Sequence, residues 1–184
     1  MRPIFVVNNF GQFNHLILRK LRDMEIEAEL IPNTTPPDTV GKECRGIILG
    51  GGPALERAGR CAEYLDLGVP VLGICLGLHV IATARGGAVK KGTSGGYGAV
   101  TVEIQEHDEI LSGYQDRISV WASHADEVSI VPSGFSVLAH SPICRVESIA
   151  AKSEPIYGIQ WHPEVSHTVD GAHLFENFNH ICQE

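Results

Sequence analysis

Short, wholly apolar runs alternate with helix-like stretches through the first half of the chain, and that rhythm admits few folds. Residues 4–7 read as a strand, 12–22 as a helix with Leu16, Ile17 and Leu21 on one side, and 26–31 as a second strand. A Pro/Thr-rich loop over 32–37 precedes a buried strand at 45–49, which runs into Gly50-Gly51-Gly52-Pro53. Residues 56–67 have helical texture, 69–74 form another buried strand, and 76–85 a helix stopped by Gly86-Gly87. Strands that are apolar on both faces need covering on both faces, so the alternation predicts a parallel sheet flanked by helices. From Tyr97 onward strands dominate, at 97–104, 117–122, 127–131, 135–140, 146–151 and 156–161, before a last helix over 172–181. The expected fold class is α/β: one three-layer domain over residues 1–184, its central twisted sheet mostly parallel, with antiparallel strands in the second half.

The chemistry-bearing residues sit where that pattern changes element. In Val71-Leu72-Gly73-Ile74-Cys75-Leu76-Gly77, a cysteine lies between a buried strand and a helix, with glycine two residues to either side. This is the pattern of a nucleophile elbow, in which side chains at the flanking positions would collide with neighbouring backbone. The first turn of a helix also favours negative charge on a thiol placed there. A cysteine packed as a small hydrophobe at a strand end would fit the same spacing.

A second constellation follows the last predicted strand, in Gln160-Trp161-His162-Pro163-Glu164. An imidazole there can accept a thiol proton, and a carboxylate can fix its tautomer, with the proline stiffening the backbone between them. Read alone, His-Pro-Glu fits a surface histidine and a capping glutamate equally well. His124 and Asp126, in Ser123-His124-Ala125-Asp126, form the rival base pair. The glycine loop at 50–52 can turn a backbone N–H toward a developing oxyanion, joined by the N–H of Leu76; it also reads as a plain turn. Residues 87–94 have glycine at both phosphate-loop positions, but Thr93 stands where the lysine must be, so that motif fails.

Composition narrows the function classes. A formal charge of −8 gives no electrostatic reason for nucleic-acid or anionic-membrane binding, and no membrane span or signal-peptide core is present, so a cytoplasmic location is expected. Five scattered cysteines without a Cys-x-x-Cys pair argue for reduced thiols rather than a disulfide framework or zinc site.

Taken in order, Gly51-Gly52-Pro53, Gly73-Ile74-Cys75-Leu76-Gly77 and His162-Pro163-Glu164 resemble the class I, triad-type glutamine amidotransferases, over nearly the whole chain. The resemblance implies a flavodoxin-like fold in which Cys75 attacks the side-chain amide of glutamine, His162 moves the proton and Glu164 orients His162. It further implies oxyanion donors at Gly52 and Leu76, and substrate contacts from Gly51, His79, Ser123, His124, Ala125 and Asp126. The run from His162 to Thr168, followed by Gly171 and Leu174-Phe175-Glu176-Asn177-Phe178, is most similar to the branch of the family that supplies ammonia for GMP synthesis. Two departures stand out. Ala125 replaces a glycine, and His79 occupies the position, four beyond the cysteine, where the family usually carries a glutamine. An imidazole cannot copy both ends of an amide.

The Ser-Gly-Gly-x-Asp-Ser loop of an ATP-pyrophosphatase is not matched by Ser94-Gly95-Gly96-Tyr97. The resemblance therefore implies a stand-alone amidotransferase subunit without a cofactor of its own. ATP, magnesium and xanthosine monophosphate would sit on a separate ATP-pyrophosphatase subunit, in a heterodimer. The alternatives are a glutaminase of another synthase (anthranilate-type), a catalytically weak regulatory subunit with an altered glutamine site, and a thiol peptidase or γ-glutamyl hydrolase.

Overall fold

The computed structural model describes residues 1–183, with only the backbone described at 94 and 95. A nine-stranded mixed sheet runs through the molecule in the order β2-β1-β3-β4-β9-β8-β7-β5-β6. β1 (Ile4–Asn8), β2 (Ala28–Pro32), β3 (Gly46–Leu49), β4 (Val71–Ile74) and β9 (Ile156–Ile159) pair in parallel. β8 (Ser148–Ala151), β7 (Phe135–His140), β5 (Ala88–Ile104) and β6 (Arg117–Ile130) continue the sheet antiparallel. The predicted α/β class, with a parallel centre and antiparallel second half, is what the chain adopts.

Two apolar layers close on the sheet. On one face Ile4, Val6, Ile48, Leu72 and Ile159 meet α1 (Asn14–Asp23), through Ile17 and Leu21, and α5 (Gly171–Ile181), through Leu174, Phe175 and Phe178. On the other, Phe5, Val7, Ile47, Leu49 and Val71 meet α2 (Pro37–Glu43), α3 (Cys61–Tyr64) and α4 (Leu76–Ala84). Helix α4 is buried from Leu76 to Ala82, and it stops in a double backbone bond, Gly86 N–H to Thr83 O and Gly87 N–H to Ala82 O. Gly86 takes the left-handed φ of +92° that this stop requires. No helix among the described residues is long and apolar enough to cross a membrane.

Several expected elements differ. The helix predicted over 56–67 is broken into a 3₁₀ turn at Leu55–Arg57 and the single turn of α3, because Gly59 has φ of +56°. A Cβ there would lie 2.5 Å from Asn33 O, so the close approach also demands glycine. The Pro/Thr-rich loop is present, and it is followed by a helix not expected from the sequence, α2, which begins with Pro37 at its first position and buries only Val40. The strands expected at 117–122 and 127–131 are one continuous β6, and β5 begins at Ala88 rather than Tyr97. The glycine-rich stretch around Gly96 lies inside β5, at a register shift between Lys91 and Gly96.

One buried charge site stands in the β7–β8 connection. Ser141 Oγ donates to Glu147 Oε1 at 2.6 Å, while Glu147 Oε2 is buried without a partner. Burial pushes the Glu147 carboxyl up to about 7, the Ser141 hydrogen bond opposing it and the neighbouring Glu127 charge adding to it. A carboxyl raised on folding binds its proton more tightly in the native state. Its stabilising share is complete below its ordinary range and is lost as pH rises from about 4.5 through about 7. The full loss is about 3 kcal/mol. Urea midpoints of the wild type should therefore fall between pH 5 and pH 8 more steeply than those of Glu147→Gln; parallel pH profiles would refute this.

Candidate active site

Cys75 joins β4 to α4 with φ of +54° and ψ of −104°, a conformation that costs a side-chain-bearing residue and persists only where packing imposes it. The surroundings do so. Cys75 N–H donates to Ile159 O of β9 at 2.8 Å, and its carbonyl accepts the His79 N–H at 3.3 Å. A Cβ on Gly73 would collide with the Gly77 carbonyl, and one on Gly77 with Leu49 O. The glycines flanking the cysteine are thus what lets α4 sit directly on the sheet. The thiol, 7% exposed, opens into a cavity of about 380 Å³.

His162 and Glu164 lie on the wall of that cavity and just behind it. His162 Nδ1 donates to Glu164 Oε1 at 2.7 Å, with both side chains buried, which leaves Nε2 as the nitrogen that serves Cys75. The sulfur lies 3.8 Å from Ser123 O, and the Cys75 side chain also hydrogen-bonds the His162 imidazole. Catalytic hydrogen bonds commonly tighten only once substrate is seated. Burial is the largest single influence on His162 and pulls its pKa down. The hydrogen bonds and charges of Cys75 and Glu164 together outweigh it and carry His162 up to about 10. The imidazole is held as a cation between a sulfur and a carboxylate.

The loop that carries His162 is clamped to β6. His162 N–H donates to Trp121 O at 3.0 Å; Thr168 Oγ1 donates to His162 O at 2.6 Å and accepts the Trp121 N–H at 2.9 Å. The ring edge of Phe13 meets the imidazole at a centroid distance of 5.1 Å.

Opposite the triad, the Gly50–Gly52 loop is pinned by its carbonyls. Gly51 O accepts from Gly11 N at 3.1 Å and from Asn14 Nδ2 at 3.0 Å, and Gly50 O accepts from Asn9 Nδ2 at 3.0 Å. In a planar trans peptide the N–H points away from the preceding carbonyl. Anchoring Gly51 O therefore turns the Gly52 N–H away from Asn14. Neither that N–H nor the Leu76 N–H has a hydrogen-bond partner among the described residues, and both residues line the cavity. These two unengaged donors beside Cys75 have the character of an oxyanion hole.

The remaining predicted residues, Gly51, His79, Ser123, His124, Ala125 and Asp126, all line the same cavity. His124 is ruled out as the partner of a carboxylate: its Nδ1 donates to the main-chain carbonyl of Asp126 at 2.9 Å. Burial pushes both His124 and His79 down, so these two rings are neutral where His162 is charged. The other four cysteines are free and lie apart from the cavity. Burial pushes Cys61 to about 11 and Cys144 and Cys182 to about 12, and raises Cys44 as well. Among the described residues no group of three or more His, Cys, Asp or Glu could hold a metal ion.

Sequence reasoning did not single out Asn9, Gly11, Phe13, Asn14 or Gln160, which orient the loop, the imidazole and the cavity wall, and it read Thr168 only as part of a family signature. A signal existed for the first four. They follow β1, whose C-terminal end lies on the same rim as those of β3, β4 and β9, where ligands of open α/β sheets gather.

Residues 5–182 match the family described as "Glutamine amidotransferase class-I". The A subunit of glutamine-hydrolyzing GMP synthase from Methanoculleus marisnigri is 68% identical over 184 residues, covering 100% of both chains. The same-named protein of Methanoregula boonei is 66% identical with the same coverage. A crystal structure from Thermoplasma acidophilum, of a protein assigned as the GMP synthase A subunit, superposes with a TM-score of 0.94 at 34% identity, covering 100% of this chain and 94% of its own.

The His162 geometry predicts a titration. Ring-proton NMR should place His162 near pH 10 in the wild type and well below that in Glu164→Gln, which keeps the shape but loses the charge that opposes burial. An unchanged midpoint in the variant would show that Glu164 does not hold the proton.

Proposed function

The chain belongs to the class-I glutamine amidotransferase family, and from that premise we propose that it is the glutaminase subunit of a two-subunit GMP synthase, releasing ammonia from glutamine at Cys75 for use by a partner. One observation carries the reading: a cysteine held at positive φ on a strand–helix elbow opens into a cavity whose wall includes His162, backed by the buried Glu164. That full-length relatives bear the name of the GMP synthase A subunit supports the assignment of substrate and assembly.

The geometry supports the following course. The Cys75 sulfur attacks the carboxamide carbon of glutamine, and the carbonyl oxygen becomes an oxyanion facing the N–H groups of Gly52 and Leu76. One such donor is worth about 3 kcal/mol in the transition state. As the C–N bond breaks, the His162 imidazolium gives its proton to the nitrogen, which leaves as ammonia. A glutamyl thioester remains. Water attacks it while His162 takes the water's proton, and glutamate departs with Cys75 regenerated. Glu164 keeps the Nδ1–H tautomer throughout, so Nε2 alone does the exchange.

The released ammonia has a separate destination. We assign ATP, magnesium and xanthosine monophosphate to an ATP-pyrophosphatase subunit, on which this chain would dock.

Ammonia release from glutamine, assayed with the synthetase subunit present, should vanish in Cys75→Ala at unchanged thermal midpoint. Turnover surviving that substitution ends the proposal. Asn14→Leu, which frees the Gly51 carbonyl, should lower kcat about tenfold with a smaller change in KM, as expected for a donor loosened rather than deleted. A KM effect alone would place Asn14 in substrate binding instead.

A further inference from the structure

His79 is the residue that departs from the family pattern, and its surroundings decide what it can do. It sits one turn into α4 from Cys75 and lines the cavity, and its Nε2 lies 2.8 Å from Gln160 Oε1. Gln160 is wholly buried, and its own Nε2 has no partner. Gln160 stands opposite Glu147 where the β8–β9 ladder continues, with Gln160 N–H donating to Glu147 O at 2.8 Å. Residues opposed in an antiparallel ladder share one face. The two side chains do not bond each other: Gln160 Nε2 and Glu147 Oε2 both lack a hydrogen-bond partner. The Gln160 amide presents its oxygen to His79. An amide oxygen only accepts, so His79 Nε2 must carry the ring proton.

We propose that Gln160 is a positioning residue that locks His79 with Nε2–H toward the interior and bare Nδ1 toward the cavity. The substrate wall thereby gains an obligate hydrogen-bond acceptor at the position where the family carries an amide. An amide there could offer an acceptor or a donor; His79 held this way offers only the acceptor, and it selects a ligand group bearing N–H. Glutamine supplies such a group as its ammonium or its carboxamide NH₂. His79 is neutral because burial favours the uncharged ring, so the acceptor is available at physiological pH. Asp126 lines the same cavity, and its carboxylate is an acceptor for the same kind of ligand group. This inference rests on the glutaminase reading for the identity of the ligand, but not for the state of the ring.

The test has two independent readouts. In the intact wild-type chain at pH 8, ¹⁵N-histidine NMR, with the His79 signals identified by their loss in His79→Gln, should show protonated Nε2 and unprotonated Nδ1. A protonated Nδ1 overturns the proposal whether or not any variant folds. With the synthetase subunit present, Gln160→Leu should raise the KM for glutamine about tenfold with kcat changed less than twofold. On a His79→Gln background, where the amide can turn its own oxygen to the cavity, Gln160→Leu should leave KM unaltered. A folded Gln160→Leu enzyme with wild-type KM, or one losing kcat alone, overturns the positioning role. If the wild type releases no ammonia at all, the glutaminase reading falls, and the tautomer result still decides what Gln160 does to His79.

Discussion

The site depends on how closely α4 lies on the sheet. With no side chain at Gly73 or Gly77, the helix approaches Leu49 and the β4 backbone to van der Waals contact, and the chain turns from strand to helix in the single residue Cys75. That turn places the thiol at the rim rather than in the core. The same approach puts Leu76 N–H at the unpaired start of a helix, where a donor is free to serve a ligand. Once the corner is formed, the sheet order supplies the rest. β3 and β9 flank β4, so the loop after β3 delivers Gly52 to one side of the sulfur and the segment after β9 delivers His162 to the other. Three stretches remote in sequence converge because their strands are hydrogen-bonded neighbours.

Burial acts on three histidines in one cavity, and their partners separate them. All three are pulled toward the neutral form by desolvation. Only His162 hydrogen-bonds a carboxylate and the Cys75 side chain, and there the partners outweigh burial; His124 bonds a carbonyl and His79 an amide, which orient a ring without charging it. Proton transfer is thereby confined to one ring, and the other two keep defined tautomers that present fixed hydrogen-bonding character. The clamp of Thr168 and Trp121 on the His162 backbone serves the same end, since an imidazole between a sulfur and a carboxylate must be held in register with both.

Much of this was legible in the sequence because it rests on local rules. The elbow announces itself through glycine spacing, the base through a strand ending at Trp161 and a stiff His-Pro-Glu, and the helix stop through Gly86-Gly87. Elements that rest on tertiary contact were not legible. Gly59 reads as an ordinary residue in a helical stretch until Asn33 is found against it. The strands expected at 117–122 and 127–131 left Ser123 to Asp126 outside any element; pairing with β5 keeps that stretch extended. Asn14 belongs to no motif, and Gln160 stands in the His-Pro-Glu run only as a flanking residue. Their meaning lies in which carbonyl or imidazole they meet, and those partners are 37 and 81 residues away.

The molecule thus divides its site between two kinds of scaffold. The reacting half (Cys75, Gly52, Leu76 and His162) is built on the ends of parallel strands whose backbones are fully paired and whose side chains fill the two cores, so its geometry tolerates little change. The facing wall is carried by the β5–β6 ribbon, where Gly96 makes room for the His124 ring beyond a register shift in β5. His79 lies at the seam, on the rigid helix but directed at the substrate side. A substitution there alters which ligand groups are recognised without moving the sulfur, because α4 is held by Gly73, Gly77 and the apolar contacts of Leu78 and Ile81 rather than by the residue at 79. The departure from the family pattern and the intact triad are therefore compatible consequences of one architecture, in which chemistry is fixed by backbone and selectivity by a side chain that a buried amide orients.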